Sequence, residues 1–320
     1  MKCIIQIPCF NEEKTLPETI RDLPKQIPGI DCLEVMVIDD GSSDNTARIA
    51  EELGVDHVVR LGSNRGLARA FSRGIEYALS VGADLVVNTD ADNQYCGADI
   101  PQLVAPILNN QADIVIGCRP IVDHPEFSAA KKWLQRIGSW TLRQVSRTEV
   151  RDAASGFRAY SREACMRCFV YSSFSYCMET LIQAGTTGLR VESVDIGVNP
   201  ATRKSRLFKS IPEYIFKSGM TIWTMFMLYR PGRFFAVIAS LFLSLSAFLG
   251  ARFLYLVYGV AAPEPGRTYL PSLIVMSLSG LIGFLLIMLG VLGELIRFQR
   301  RLQEEILFEL RNSRPRRSPH

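Results

Sequence analysis

Two apolar runs near the carboxyl end constrain this 320-residue chain more than any other feature. Phe234–Val260 carries one charge, Arg252, and Tyr269–Ile296 carries one, Glu294. Each exceeds the roughly 20 residues that a helix needs to cross about 30 Å of hydrocarbon. Arg252 lies near the end of its run and can snorkel to the headgroups, and Glu294 sits near the other boundary. The intervening Ala261–Thr268 holds Pro263, Pro265 and Gly266, a short connection, so the pair reads as a transmembrane hairpin. Lys209, Lys217, Arg230 and Arg233 precede it, Arg297, Arg300 and Arg301 follow it, and the connection has only Arg267. That bias places both termini in the cytoplasm, with a multi-pass protein of the inner membrane as the expected setting. Glycines 280, 283, 290 and 293 leave strips for close packing, within a hairpin or in an oligomer contact, a tetramer included.

Charge divides the chain at the same place. Residues 1–202 hold 20 basic and 26 acidic side chains, a net of −6, whereas residues 203–320 hold 16 and 6, a net of +10. An acidic body with a basic, apolar end is unsuited to nucleic acid and suited to an anionic bilayer. Segments 206–232 (with Trp223 and mixed Phe, Ile and Met) and 298–320 read as an interfacial helix region and a basic cytosolic tail. The eight cysteines show one close pair, Cys165 and Cys168, too few for a four-cysteine zinc site, and are expected as reduced packing residues. Met1-Lys2 leads into too short an apolar run for a signal peptide, so the N-terminal body is expected in the cytosol.

In residues 1–205, β-rich runs alternate with helical spacing. Strands are predicted at Cys3–Ile7, Glu34–Asp39, His57–Leu61, Leu85–Thr89, Ile114–Gly117 and Val191–Val198. Helices are predicted at Glu13–Leu23, Thr46–Leu53, Leu67–Val81, Pro101–Leu108 and Lys131–Val145. This alternation means an α/β fold with a mostly parallel sheet, whose ligands bind beyond the carboxyl ends of the strands. There is no Gly-x-Gly-x-x-Gly and no Walker loop, against ordinary dinucleotide or ATP chemistry.

The segments after the strands carry the chemistry. Pro8-Cys-Phe-Asn-Glu12 follows the first. Asp39-Asp-Gly-Ser-Ser-Asp44 follows the second, and its leading carboxylates can hydrogen-bond a ribose or base edge, while Asp44 and Thr46 can cap the next helix. After the fourth comes Asp90-Ala-Asp-Asn-Gln94, where alternating carboxylates put two hard oxygen ligands near one cation, favouring Mg2+ or Mn2+. Gly117-Cys-Arg119 and Asp152-Ala-Ala-Ser-Gly-Phe-Arg158 complete the set. Lys132, Arg136 and Ser139, spaced i, i+4, i+7, share one face of a helix.

From Cys3 to about Arg206 the chain resembles glycosyltransferase family 2, and within it the polyprenyl-phosphate sugar synthases. The resemblance implies a GT-A nucleotide-sugar fold. By matched position it implies Pro8, Phe10, Glu12, Ile38 and Asp40 around the nucleoside, Asp90 and Ala91 lining the donor site, and Asp92 and Gln94 facing the metal. Arg119 belongs to its phosphate-binding set, and Glu179 stands where many relatives keep a base. Asn64-Arg65-Gly66-Leu67 also matches, with Ala68 in place of a frequent glycine. The lipid phosphate is expected at Lys132, Arg136 and Ser139, with Arg203 and Arg206 clamping phosphates through planar guanidinium forks. Catalytic roles are expected for Asp92, Asp152, Glu179 and Arg119.

The activity implied is inverting transfer of a hexose from a nucleoside-diphosphate sugar to a polyprenyl phosphate, undecaprenyl or dolichyl, with Mg2+ or Mn2+. Two alternatives fit the sequence less well. A family 2 enzyme acting on a saccharide or glycolipid hydroxyl would need a true base, and the Gln-x-x-Arg-Trp of processive synthases is absent. A non-catalytic nucleotide-binding membrane scaffold would be expected to lack the metal carboxylates, yet Asp90 and Asp92 are both present.

Overall fold

Lys2–Cys9 (β1) is the strand on which the sheet is built, with every residue after Lys2 buried. It is flanked on both sides by parallel neighbours, Cys32–Asp39 (β2) and Leu85–Asn88 (β4). A strand covered on both faces needs an almost unbroken apolar run, which Cys-Ile-Ile-Gln-Ile supplies. The computed structural model describes residues 1–120, 150–170, 176–199, 220, 223–224, 226–227, 229–259 and 269–313.

The remaining strands are His57–Arg60 (β3), Ile114–Cys118 (β5), Arg158–Ser161 (β6) and Val191–Asp195 (β7). Their order in the seven-stranded sheet is β3-β2-β1-β4-β6-β5-β7. Among the described strands of this sheet only β6 runs antiparallel, between β4 and β5. The six predicted strands all form, within a few residues of their expected bounds. β6, which starts at the last residue of the Asp152–Arg158 motif, was not anticipated because Arg-Ala-Tyr-Ser lacks an apolar alternation. It is nevertheless buried, and Arg158 and Tyr160 are fully enclosed.

Helices Leu16–Asp22 (α1), Thr46–Glu52 (α2), Leu67–Ser80 (α3) and Ile100–Leu108 (α4) cover the sheet. α1 and α4 each carry a proline in the first turn, where its missing N–H is harmless. α3 buries Phe71, Gly74, Ile75 and Ala78, a 3.6-residue stripe. Two further helices, Arg162–Arg167 (α5) and Tyr176–Thr187 (α6), were not anticipated. The helix expected at Lys131–Val145 falls outside the described residues. All eight cysteines are free, as expected.

The first compact unit comprises Met1–Phe216 together with Glu304–His320, and the second Lys217–Gln303. In the second, Pro231–Leu254 (α7, continued by one π-helical turn through Gly259) packs on the early part of Leu270–Asn312 (α8). The glycine strip is used inside this hairpin. A Cβ on Gly283 would stand 2.7 Å from Leu243, one on Gly290 3.3 Å from Phe235, and one on Gly293 2.5 Å from Pro231. Ser246 donates to the Met276 carbonyl across the same seam, at 2.9 Å. Both helices are long and apolar enough to cross a membrane, with 11% and 17% of their most apolar stretches buried. A core helix would bury far more, so this exposed apolar surface suits hydrocarbon.

The tail expected from residue 298 begins as helix, because α8 continues to Asn312. Its last turns belong to the first unit. Arg311 donates to the carbonyls of Cys165, Met166 and Cys168 at 3.1–3.5 Å, where α5 ends, and its guanidinium lies 4.2 Å from the Phe169 ring centre. Arg167 answers by lying 4.0 Å from the centre of Phe308. A cation at the last carbonyls of a helix and over an aromatic face is stabilising on both counts. Arg311→Met in the full-length chain should cost about 1–2 kcal/mol, read as a lowered unfolding midpoint in detergent. An unchanged midpoint would show that this end of α8 adds nothing to the unit.

Candidate active site

The pairing register decides where the motifs meet. Cys9 lies opposite Asp39, and Gln6 opposite Asn88, so β1, β2 and β4 end at one edge of the sheet. β5 is reached from β4 through antiparallel β6, hence through two reversals, and it points the same way. The described motifs therefore open on that one edge: the segments after β1, β2, β4 and β5, and the loop that enters β6.

The first two loops are zipped together. Asn11 adopts the left-handed conformation at φ 54° and accepts from the Ser43 amide at 2.8 Å, while its own amide donates to Ser42. Glu12 donates its amide to Thr46 and takes a 2.7 Å bond from the Thr15 hydroxyl. Asp44 accepts the amides of Thr46 and Glu13, at 3.0 and 3.2 Å, and the Thr46 hydroxyl. Burial alone would raise the Asp44 carboxyl, but these donors outweigh it and hold it below the usual carboxylate range.

Asp39 and Asp40 also shape loops. Asp39 accepts the Ser42 amide at 3.0 Å, and Asp40 accepts those of Arg65 and Gly66 at 2.9 and 2.8 Å. Asp40 thus couples the second motif to Asn64-Arg65-Gly66-Leu67. Gly41 permits the approach: its φ is 72°, and a Cβ there would fall 2.6 Å from the Ser63 backbone. Phe10 is well exposed at the rim. Pro8 is buried, and Ile38 is fully enclosed with its side chain turned to α3 beside Gly74, which leaves Ile38 only its backbone to offer a ligand.

After β4, Asp90 and Asp92 are half-buried on either side of buried Ala91, whose carbonyl accepts from Thr19 at 3.0 Å. Asp92 accepts the Gln94 amide at 3.3 Å, and Asn93 turns the chain at φ 53°. Among the described residues no three His, Cys, Asp or Glu side chains gather as a metal cage. Two carboxylates and an amide oxygen fit a hard cation that takes its other ligands from a diphosphate and water, as Mg2+ and Mn2+ do.

Arg119 and Asp152 form a two-pronged ion pair at 2.8 and 3.2 Å, with the carboxylate almost wholly buried and the guanidinium about a third exposed. Burial opposes the Arg119 charge, but Asp152, Tyr95 and Asp90 keep it protonated. The Asp152–Gly156 loop reaches Asp90 from the other side: a Cβ on Gly156 would meet the Tyr176 hydroxyl at 2.7 Å and the Asp90 carboxylate at 3.2–3.3 Å. Tyr95 accepts the Gly156 amide at 3.2 Å and stacks on Phe157. Asn88 donates to the Gly156 carbonyl at 2.8 Å and accepts from Gln6 at 2.9 Å.

The structure thus gathers Asp90, Ala91, Asp92, Gln94, Arg119 and Asp152. Glu179 lies on α6 with its side chain fully buried. Lys132, Arg136, Ser139, Arg203 and Arg206 lie outside the described residues. Sequence reasoning missed Gln6, Asn88 and Tyr95, which fix the floor beneath the site. Polar Gln6 and Asn88 inside otherwise apolar strands were the available signal.

Residues 4–169 match the model of glycosyl transferase family 2, and this chain belongs to that family. Its relatives include an uncharacterised protein of Methanocaldococcus jannaschii, 33% identical over 66% of this chain and 92% of the relative. A UDP-N-acetylglucosamine–dolichyl-phosphate N-acetylglucosaminyltransferase of Methanococcus voltae is 28% identical over 59% of this chain and 82% of its own. An undecaprenyl-phosphate mannosyltransferase of Micrococcus luteus is 31% identical over 50% and 66%. Among solved structures, glucosyl-3-phosphoglycerate synthase of Mycobacterium tuberculosis, crystallised with Mn2+ and UDP-glucose, superposes with a TM-score of 0.53 at 22% identity, over 70% of this chain and 78% of that one. This likeness establishes the GT-A-like α/β fold, and family membership makes the chain a sugar-transferring enzyme.

Two outcomes test the geometry. Gly156→Ala should lower transfer at least about tenfold and cost about 1–3 kcal/mol, since neither the Tyr176 hydroxyl nor the Asp90 carboxylate can retreat freely. A wild-type rate would mean the loop is not tightly seated. Asp44 has a depressed native pKa, so its contribution is full above the unfolded value of about 3.9 and is lost as pH falls through the lower native value. Asp44→Asn should therefore be less stable than wild type at pH 7, with the gap in unfolding midpoint closing below about pH 4. A gap that persists in acid would assign the loss to something other than the charge.

Proposed function

We propose that this enzyme transfers a hexose from a nucleoside-diphosphate sugar to a polyprenyl phosphate at the cytoplasmic face of the membrane, with inversion at the anomeric carbon. The observation that carries the reading is the joining, in one chain, of the Asp90–Asp92 and Arg119–Asp152 edge to two helices whose apolar surface is left exposed. An enzyme with a wholly water-soluble acceptor has no need of the second feature. The named relatives from Methanococcus voltae and Micrococcus luteus act on lipid phosphates, which supports the same acceptor class.

Phe10, Glu12 and the Asp40-braced loop would receive the nucleoside, and Asp90 the sugar. Asp92 and Gln94 would hold the divalent ion, which when bound offsets charge on the diphosphate. Arg119, kept charged and aimed by Asp152, would face the anionic phosphates. A phosphate monoester has a second pKa of about 6 and already carries its nucleophilic charge at neutrality. No general base is then required, which accords with a Glu179 side chain sealed from solvent. Catalysis would rest on holding two anions in line, where positioning supplies much of the rate. Both termini would be cytoplasmic, and Lys132, Arg136, Ser139, Arg203 and Arg206 remain the proposed holders of the lipid phosphate.

Detergent-solubilised enzyme should convert one of a panel of UDP- and GDP-sugars with undecaprenyl phosphate to lipid-linked sugar. Chelation should abolish the reaction, with Mn2+ or Mg2+ restoring it. Asp92→Ala should lower kcat by about 100-fold or more. Metal-dependent transfer that survives intact in Asp92→Ala would refute the site, and transfer only to hydroxyl acceptors would refute the lipid phosphate.

A further inference from the structure

Arg158 opens β6 with its side chain fully enclosed. Its Nε donates to the Ser155 carbonyl at 2.8 Å and one Nη to the Ala153 carbonyl at 2.8 Å. The other Nη donates to the Cys177 carbonyl at 2.8 Å and the Thr180 hydroxyl at 3.1 Å. Two acceptors thus belong to the Asp152–Gly156 loop and two to the first turns of α6. A buried cation is expensive unless its donors are well used. The carbonyls of an irregular buried loop are equally expensive unless something donates to them. One guanidinium answers both needs, because its rigid fork addresses several directions at once, which an ammonium cannot.

The loop it gathers is the one that carries Asp152 to Arg119 and brings Gly156 against Asp90. We propose that Arg158 is a positioning residue for sugar transfer: by clamping the 152–156 loop to α6 it sets the Asp152 carboxylate that aims Arg119. It touches no substrate and acts from behind the site. The inference rests on the reading of Arg119 and Asp152 as parts of the active site. The nucleotide loops after β1 and β2 are braced by different bonds, through Asn11, Asp40 and Asp44. Loss of the clamp should therefore strike turnover far harder than nucleotide binding.

The test uses full-length Arg158→Lys, Arg158→Met and Thr180→Val, with Asp152→Asn alone and combined with Arg158→Met. Hydrogen exchange should accelerate about tenfold or more across residues 153–157 in Arg158→Met and remain at the wild-type rate in β1 and β2. Titrated UDP and GDP with Mn2+ should bind within about tenfold of wild type, while kcat falls about 100-fold. Lysine should restore only part of kcat, and the double variant should be no slower than the slower single one. Thr180→Val removes one bond to the guanidinium and should lose a few-fold in kcat; it carries the test if Arg158→Met does not fold. Wild-type exchange and kcat in a folded Arg158→Met would overturn the proposal, as would nucleotide affinity falling in step with kcat. A wild-type enzyme inert toward every lipid phosphate would defeat the acceptor reading instead, and the exchange data would still decide the clamp.

Discussion

Parallel pairing of β1 between β2 and β4 is the constraint on which the site depends. That register brings three strand ends to one edge, and two reversals through β6 add β5 to them. Loops from distant parts of the chain then face one another. The cost of an almost featureless apolar strand is met by burying it on both faces. Where β1 and β4 do carry polar groups, Gln6 and Asn88, these bond to each other, and Asn88 also holds Gly156.

The acidic groups of the motifs divide into two kinds of work. Asp39, Asp40 and Asp44 accept main-chain amides and fix loop shape, so substitution there would act on the proposed nucleotide pocket through its walls. Asp90 and Asp92 stay half-open at the strand end, where a cation and a diphosphate can be met. Arg119 is intermediate: bound to a buried carboxylate on one side, it keeps its charge and a third of its surface for an anion. A pre-oriented charge of this kind does not reorganise during reaction, and that is what makes it useful.

The hairpin follows another logic. Glycines at 283, 290 and 293 are spent on contact between its own two helices, so they supply no argument for an oligomer. The outward leucines, isoleucines and phenylalanines are left for a solvent that welcomes them. Farther along α8, Phe308 and Arg311 belong to the first unit, where they close the end of α5. A single helix thus changes from an apolar seam to an amphipathic brace along its length.

Local pattern was enough to read the strand–helix alternation, the two long apolar helices and the carboxylate motifs, because apolar periodicity and charge reflect burial directly. Pattern also placed Asp90, Asp92, Arg119 and Asp152 among the candidates. It did not show that Arg119 and Asp152 pair, that Ile38 turns its side chain away, or that Arg-Ala-Tyr-Ser forms an inner strand. Those facts depend on which residues meet across more than thirty positions of chain, and on a buried arginine whose partners are mostly main-chain carbonyls. Carbonyls are the same in every residue, so no spacing announces them; only the folded backbone decides where they point.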